Sequence, residues 1–289
     1  MDVPSRLIKS VKKHGIRTTL HFALKYLSTK FLQSIRSFQK QDNFDWMNSR
    51  RIFLGDVLRE QVGHDRIIRG VFQGVLLPPE FSWSACDRVS MQLGFYECEV
   101  AEYLEKLSGP SKIIIDVGAA DGYFAVSLVA KRMFSKAICF ESSEKSRKIL
   151  VENARQNNVS FKLDIRGHAS RETIDGLIIE HASRLNEVVF LVDVEGGEVE
   201  LFTSQVLEKL SRATLLIELH PVQLADEVLA EFKERCSINH EVSLILTGAR
   251  NPSDAPELDC WLDNDRWNVC SEGRYRRGHW LLLEPKASY

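Results

Sequence analysis

The chain has 289 residues, 44% of them hydrophobic, which suffices for one large α/β domain with an extension. Its net charge of −2 hides an asymmetry: residues 1 to 40 carry nine Lys or Arg against Asp2 alone, the remainder sums to −10, and an acidic body argues against a duplex nucleic-acid substrate. Six scattered cysteines lack a Cys-x-x-Cys pair or zinc-like spacing, and no apolar run reaches the ~18 residues of a membrane span, so ordinary thiols in a reducing cytoplasm are expected.

Leu20, Leu24, Leu27, Phe31, Ile35 and Phe38 recur at three- and four-residue spacing. They predict an amphipathic helix in a basic arm over residues 1–40, with Lys25, Lys30 and Arg36 around its apolar face. Such a helix either lies peripherally on an anionic membrane or packs on the body or on a second copy of the chain as a homodimer. Packing is the favoured reading. A lead-in over 41–110 follows, in which IIRGVFQGVLLPP predicts a short hairpin between Asp65 and Pro79, and Glu99 to Leu107 a helix. Tyr96 and Glu97, just upstream of that helix, are placed either to touch a cofactor or to serve structure.

The third segment, 111–289, opens with KIIIDVGAADGYFAVSL from Lys112 to Leu128. An apolar β-branched run ends in Asp116, passes through a small-residue turn holding Gly118, Ala119 and Gly122, and enters an apolar helix at Tyr123. That order predicts a buried parallel strand, a tight turn and a helix, with bare backbone where a ligand approaches closely. Neither GxGxxG nor a Walker-type Gly-Lys-Ser/Thr is present, which disfavours nicotinamide dinucleotides and nucleoside triphosphates. Ala137 to Glu141 (AICFE) predicts a second strand, whose terminal carboxylate falls about 20 residues after the turn, where an acid meets a ribose. A helix-start acid satisfying backbone N–H groups is the competing reading of Glu141. Val188 to Asp193 (VVFLVD) and Leu215 to His220 (LLIELH) repeat the design, so acids and a histidine collect at the carboxyl rim of an open sheet, where ligands bind. Asp226 to Arg235 is predicted helical, and Glu241 to Leu246 and Trp280 to Leu283 are predicted to close the sheet. The long connection from Ala249 to Gly278, with Trp261 and Trp267, is expected to cap the site.

In order and spacing, GFYECEVAEYLEKL, IIIDVGAADGYFA, FESSEKSRKILVENARQNN, LVDVEGGEVELF and LLIELH resemble the FkbM family of S-adenosylmethionine-dependent methyltransferases. The resemblance covers roughly Gly94 to His220, with Asp-Val-Glu-Gly-Gly-Glu as its most diagnostic piece. The family often has Asn where this chain has Ala120, which removes a side chain that could contact the cofactor, and Pro where it has Ser142. The implied fold class is α/β: a class I methyltransferase, Rossmann-like, doubly wound and mostly parallel, with an antiparallel closing strand and an N-terminal helical extension. The implied cofactor is S-adenosyl-L-methionine. Asp116 then lies near the methionine moiety, Gly118 and Gly122 let the backbone pass under the cofactor, Glu141 holds the ribose, and Ala119, Tyr123, Tyr96, Glu97 and His168 complete the contacts. The implied reaction is O-methylation of a hydroxyl on a sugar, glycan or secondary metabolite.

An alcohol nucleophile needs a base, and a histidine near pH 7 suits that work. His220, at a predicted strand end before Pro221, is the best placed, with Asp193 and Glu195 where the acceptor meets the methyl group. For His220, His168 and His279 alike, capping a strand or bonding in a loop competes with catalysis. Convergence of Asp193, Glu195, Glu218 and His220 on magnesium is conceivable, and no metal is the favoured reading. Two other classes stand against the methyltransferase: a dinucleotide-dependent oxidoreductase, and a non-catalytic cofactor-binding or membrane-docked module.

Overall fold

Four apolar runs are too short for helices and end in a polar residue or turn; in the computed structural model, they and a fifth, more polar segment become parallel strands. The structure describes residues 45–83, 85–220, 224–272 and 277–287. The predicted arm helix over 1–40 lies outside them. Two compact units divide the chain, Met1–Arg50 and Arg51–Tyr289. Of the first, residues 45–50 are helical.

The second unit opens with helical residues 51–62 (α1) and carries the sheet. Its strands are β1 (Ile113–Val117), β2 (Lys136–Phe140), β3 (Leu163–Arg166), β4 (Val188–Val192), β5 (Thr214–Leu219), β6 (His240–Leu246) and β7 (His279–Pro285), in the order β3-β2-β1-β4-β5-β7-β6. Strands β1 to β5 pair in parallel, and β7 runs antiparallel between β5 and β6. This is a doubly wound, mostly parallel Rossmann-like sheet, with the predicted antiparallel closing pair.

Alternation along the strands divides the core. Ile114, Cys139, Leu191 and Leu216 face one hydrophobic cluster; Ile115, Ile138, Phe190 and Ile217 face the other. All five residues of β1 and of β4 are buried because helices cover both faces. One face takes α3 (Cys98–Leu107), α4 (Tyr123–Ala130) and α5 (Glu144–Gln156), after α2 (Arg88–Gln92); the other takes α6 (Arg171–Glu180), α8 (Ser204–Lys209) and α9 (Asp226–Asn239), with the short α7 (Glu198–Leu201) between. Side chains that compete with the backbone for hydrogen bonds sit at helix starts: Ser143 caps α5, Ser170 forms a capping box with Thr173, and Thr203 caps α8.

Three expectations change. The predicted hairpin is a single antiparallel bridge, Arg66 to Leu76, because Gly70 and Gly74 adopt positive φ and fold the segment into successive turns. Strand β3 is not predicted: it is four residues long, and two of them, Asp164 and Arg166, form a surface ion pair at 2.7 Å. Among its described residues, the connection after β6 borders neither cavity at the rim. Its two short 3-10 turns and α10 (Asp263–Cys270) bury Ala255, Leu258, Val269 and Cys270 against Leu58, Val89 and Leu93, while Trp261 donates to Gln61 and Trp267 is exposed. The tryptophans that border cavities at the rim are Trp83 and Trp280.

Candidate functional site

Strands β1, β2 and β4 end in register and β5 runs two residues further, and the next residue of each is one of the candidates: Gly118, Glu141, Asp193 and His220. The turn after β1 is stitched to its neighbours by backbone alone. Gly118 and Ala119 N–H donate to the Phe140 carbonyl at 2.8 and 2.9 Å, and Asp193 N–H donates to Val117 at 2.8 Å. Gly118 has φ +96, and a Cβ there would fall on the Asp193 carbonyl oxygen, so only glycine fits. At Gly122, φ is +84 and a Cβ would meet Leu150 and Val126 side chains at 3.0 Å; it borders neither rim cavity, and packing of α4 on α5 is what demands glycine there.

Glu141 is held above this turn. Its Oε2 accepts from Ala120 N–H at 2.9 Å and its Oε1 from Ser143 N–H at 2.7 Å, the competing backbone role foreseen for it. Each oxygen keeps a further lone pair. Glu141, Gly118, His168, Asp193 and Glu195 border an open cavity of about 1080 Å³. A narrow cavity of about 40 Å³ adjoins Gly118 and Asp193 and receives Tyr96, Glu97, Asp116, Ala119 and Tyr123. The candidate cofactor residues, Gly122 apart, thus lie on two connected hollows. Tyr123 packs edge-on against Tyr96 and Phe72 at 5.4 and 5.5 Å, and burial pushes its hydroxyl up, so it stays protonated.

Asp116 is one of three buried acids that border the narrow cavity, with Glu97 and Asp121. Burial, then the charges of Asp193 and Glu141, push its carboxyl from 3.8 up to about 8. The folded chain therefore keeps a proton that the unfolded chain releases above about pH 4, and stability falls as pH rises from about 4 to about 8, then levels. Asp116→Asn is expected to flatten that decline, so that the variant gains on the wild type in thermal melts at pH 8.5 relative to pH 5. Equal slopes for the two proteins would show that Asp116 ionises in the folded state like an exposed acid.

His220 is nearly buried and borders neither cavity. Its Nε2 lies 3.3 Å from Asp193, 3.6 Å from Glu195 and 3.6 Å from Glu218, and its Nδ1 lies 3.4 Å from Glu198. Burial opposes the imidazolium charge, but the carboxylates of Asp193, Glu198 and Glu218 outweigh it and push His220 up to about 10. The ring therefore carries its proton at neutral pH, which removes the lone pair that a general base needs. Its geometry suits orienting acids instead.

Several contributors were not singled out in the sequence. Glu198 is fully buried and accepts from Gly196 N–H at 2.9 Å; it is the last acid of Asp-Val-Glu-Gly-Gly-Glu, which was the available signal. Asp121 accepts from the backbone and hydroxyl of Ser82, whose hydroxyl also meets Ser146 at 2.8 Å, tying the lead-in to the turn. Glu97 is left-handed at φ +43 and donates its N–H to Glu272 at 3.1 Å. Arg250 anchors that strained position: it donates to Glu272 at 2.6 Å, to both Glu99 oxygens at 2.5 and 2.7 Å, and to the Phe95 carbonyl at 2.7 Å. Burial works against the Glu99 charge, and the bonds from Arg250 and Gly248 N–H more than offset it, lowering its pKa. No local motif announces this cluster, because its members are up to 175 residues apart in numbering, from Glu97 to Glu272.

No protein-family model matches the chain, and no curated protein matches it. Solved structures do. An O-methyltransferase from Bacillus cereus in complex with S-adenosylhomocysteine aligns at 12% identity over 63% of this chain and 78% of that one, with a TM-score of 0.43. An rRNA methylase from Streptococcus thermophilus aligns at 13% identity over 65% and 95% (TM-score 0.41), and precorrin 8W decarboxylase from Methanobacterium thermoautotrophicum at 14% over 64% and 89% (TM-score 0.42). The names of these three state different reactions. Chemistry has to be read from the rim of this chain itself. Among the described residues, no helix is long and apolar enough to cross a membrane.

Proposed function

We propose that the chain is an S-adenosylmethionine-dependent methyltransferase of the FkbM kind, acting on a hydroxyl of a sugar, glycan or secondary metabolite. The observation that carries this reading is the Glu141 carboxylate, pinned by two backbone N–H groups over the small-residue turn at the edge of a cavity of about 1080 Å³. A fixed carboxylate suits a vicinal ribose diol, since it accepts from both hydroxyls in charge-assisted bonds. Phe140, Ala169 and Val206 supply apolar lining for a purine in the same cavity, so the residues present fit the cosubstrate. The narrow cavity, bordered by Tyr96, Ala119, Tyr123 and Leu191 beside Asp116, suits the short aliphatic part.

When bound, the sulfonium supplies an electrophilic methyl group: the acceptor oxygen forms the new O–C bond, the C–S electron pair returns to sulfur, and the hydroxyl proton leaves. The chain's part is to align that oxygen and receive the proton. Asp193 and Glu195 border the large cavity beside Gly118 and are the carboxylates placed to do both. Glu200, Gln205 and Lys209 border it as well and give a hydroxyl-rich acceptor hydrogen-bonding partners. The antecedent expectation of a base at His220 is replaced here by orientation of Asp193 and Glu195 from behind.

Glu141→Ala is expected to weaken S-adenosylmethionine binding by about tenfold or more, the loss of roughly 1.5–3 kcal/mol for a charge-assisted contact. Isothermal titration with S-adenosylmethionine and, separately, NAD reads this directly. Tighter binding of NAD, or S-adenosylmethionine affinity unchanged in a folded variant, would overturn the assignment.

A further inference from the structure

We propose that Asp193, Glu195 and His220 form a divalent-cation site at the acceptor end of the rim. One ligand atom from each residue lies within 4.8 Å of the others, which is the spread of three donors around one ion. The set is a nitrogen and two carboxylate oxygens, a mixture that suits Mn²⁺ and related divalent ions.

Three further observations separate this cluster from an ordinary salt bridge. Asp193 Oδ1 is buried and accepts no hydrogen bond, although His220 Nε2 lies only 3.3 Å away. Such an orphaned acceptor is costly unless something else satisfies it. Behind the ring, Glu198 is completely buried, with one oxygen 3.4 Å from Nδ1. A carboxylate on the far nitrogen is the arrangement that orients a metal-bound histidine, and the ion would take the place of the Nε2 proton that the same carboxylates hold when no ion is bound. In front, Glu195 holds φ +51 and Gly196 φ +99, a left-handed pair that turns the loop after Asp193 back toward His220. Non-glycine residues take this region at a cost, and such strain collects at functional sites.

The three protein atoms leave an open side toward the large cavity, which Asp193 and Glu195 border. There the ion would take an acceptor hydroxyl oxygen as a further ligand and make its proton easier to lose. Each carboxylate lends the ion one oxygen and keeps the other, so the proton can pass to Asp193 or Glu195. The site stands on its own geometry, whichever cosubstrate the cavity takes.

Mn²⁺ titration followed by electron paramagnetic resonance tests this with no cosubstrate present. One tightly bound Mn²⁺ per chain is expected, with a ¹⁴N coupling from the imidazole. His220→Gln should abolish the coupling, and Asp193→Asn should weaken binding at least tenfold. Glu195→Gln, at a side chain exposed to solvent, should weaken binding without threatening the fold. Absence of bound Mn²⁺, absence of the ¹⁴N coupling, or affinity indifferent to the Glu195 and Asp193 variants would overturn the proposal. Titration with S-adenosylmethionine in metal-free buffer reports the methyltransferase reading independently.

Discussion

Gly118→Ala is expected to be among the most damaging single substitutions in the chain. At φ +96 an alanine incurs about 1–2 kcal/mol of left-handed strain, and its methyl group lands on the Asp193 carbonyl oxygen. That oxygen belongs to the backbone and cannot rotate away. Overpacking of this kind costs a further ~1–3 kcal/mol, so destabilisation of about 2–5 kcal/mol should appear in urea denaturation. Relief would require β1 and β4 to separate at their carboxyl ends, displacing Asp193 and the loop that follows. Binding of S-adenosylmethionine should be lost along with the stability. A variant within about 0.5 kcal/mol of the wild type would mean that the turn relaxes without disturbing the strands.

Arg250→Ala is expected to match it by another route. Removing this buried guanidinium strands Glu99 and Glu272, and breaking a buried ion pair from one side typically costs about 3–5 kcal/mol. Glu272 also accepts from the left-handed Glu97, so the damage should reach Tyr96 and Glu97 at the narrow cavity. Arg250→Lys restores charge but not the planar fork that holds both Glu99 oxygens, and should recover only part of the loss. Equal melting temperatures for wild type and Arg250→Ala would show that the three groups are solvated well enough to part freely.

Much of the architecture is legible in the amino-acid order because burial on both faces forces continuous apolar strands. IIIDV, VVFLV and TLLIEL could hardly be anything else once a polar residue and a turn follow each. The rim candidates follow from the same logic, since a residue that ends a central parallel strand is delivered to a common edge. β3 escapes notice because an edge strand of four residues carries a charge pair where a central strand carries methyl groups. The connection bearing Trp261 and Trp267 misleads because aromatic content says that a segment packs, without saying against what. The protonation of His220 is equally hidden: LLIELH places the ring and Glu218, but Asp193 and Glu198 come from the separate stretch after β4. Arg250 is the extreme case, a long-range anchor with no local pattern.

The position of β7 between β5 and β6 has a consequence for how this protein is made. During synthesis β6 emerges before the strand it pairs with, and about 30 residues must still be added at roughly 5–20 per second before that partner exists. For some seconds β5 and β6 both offer open hydrogen-bonding edges to whatever is near. Completion of the sheet is then an insertion into a gap rather than an addition to a margin, and both edges have to wait for it. The nascent chain is most vulnerable to mispairing in that interval, and the exposed polar residues Glu241 and Ser243 of β6 are what limit the attraction of a wrong neighbour.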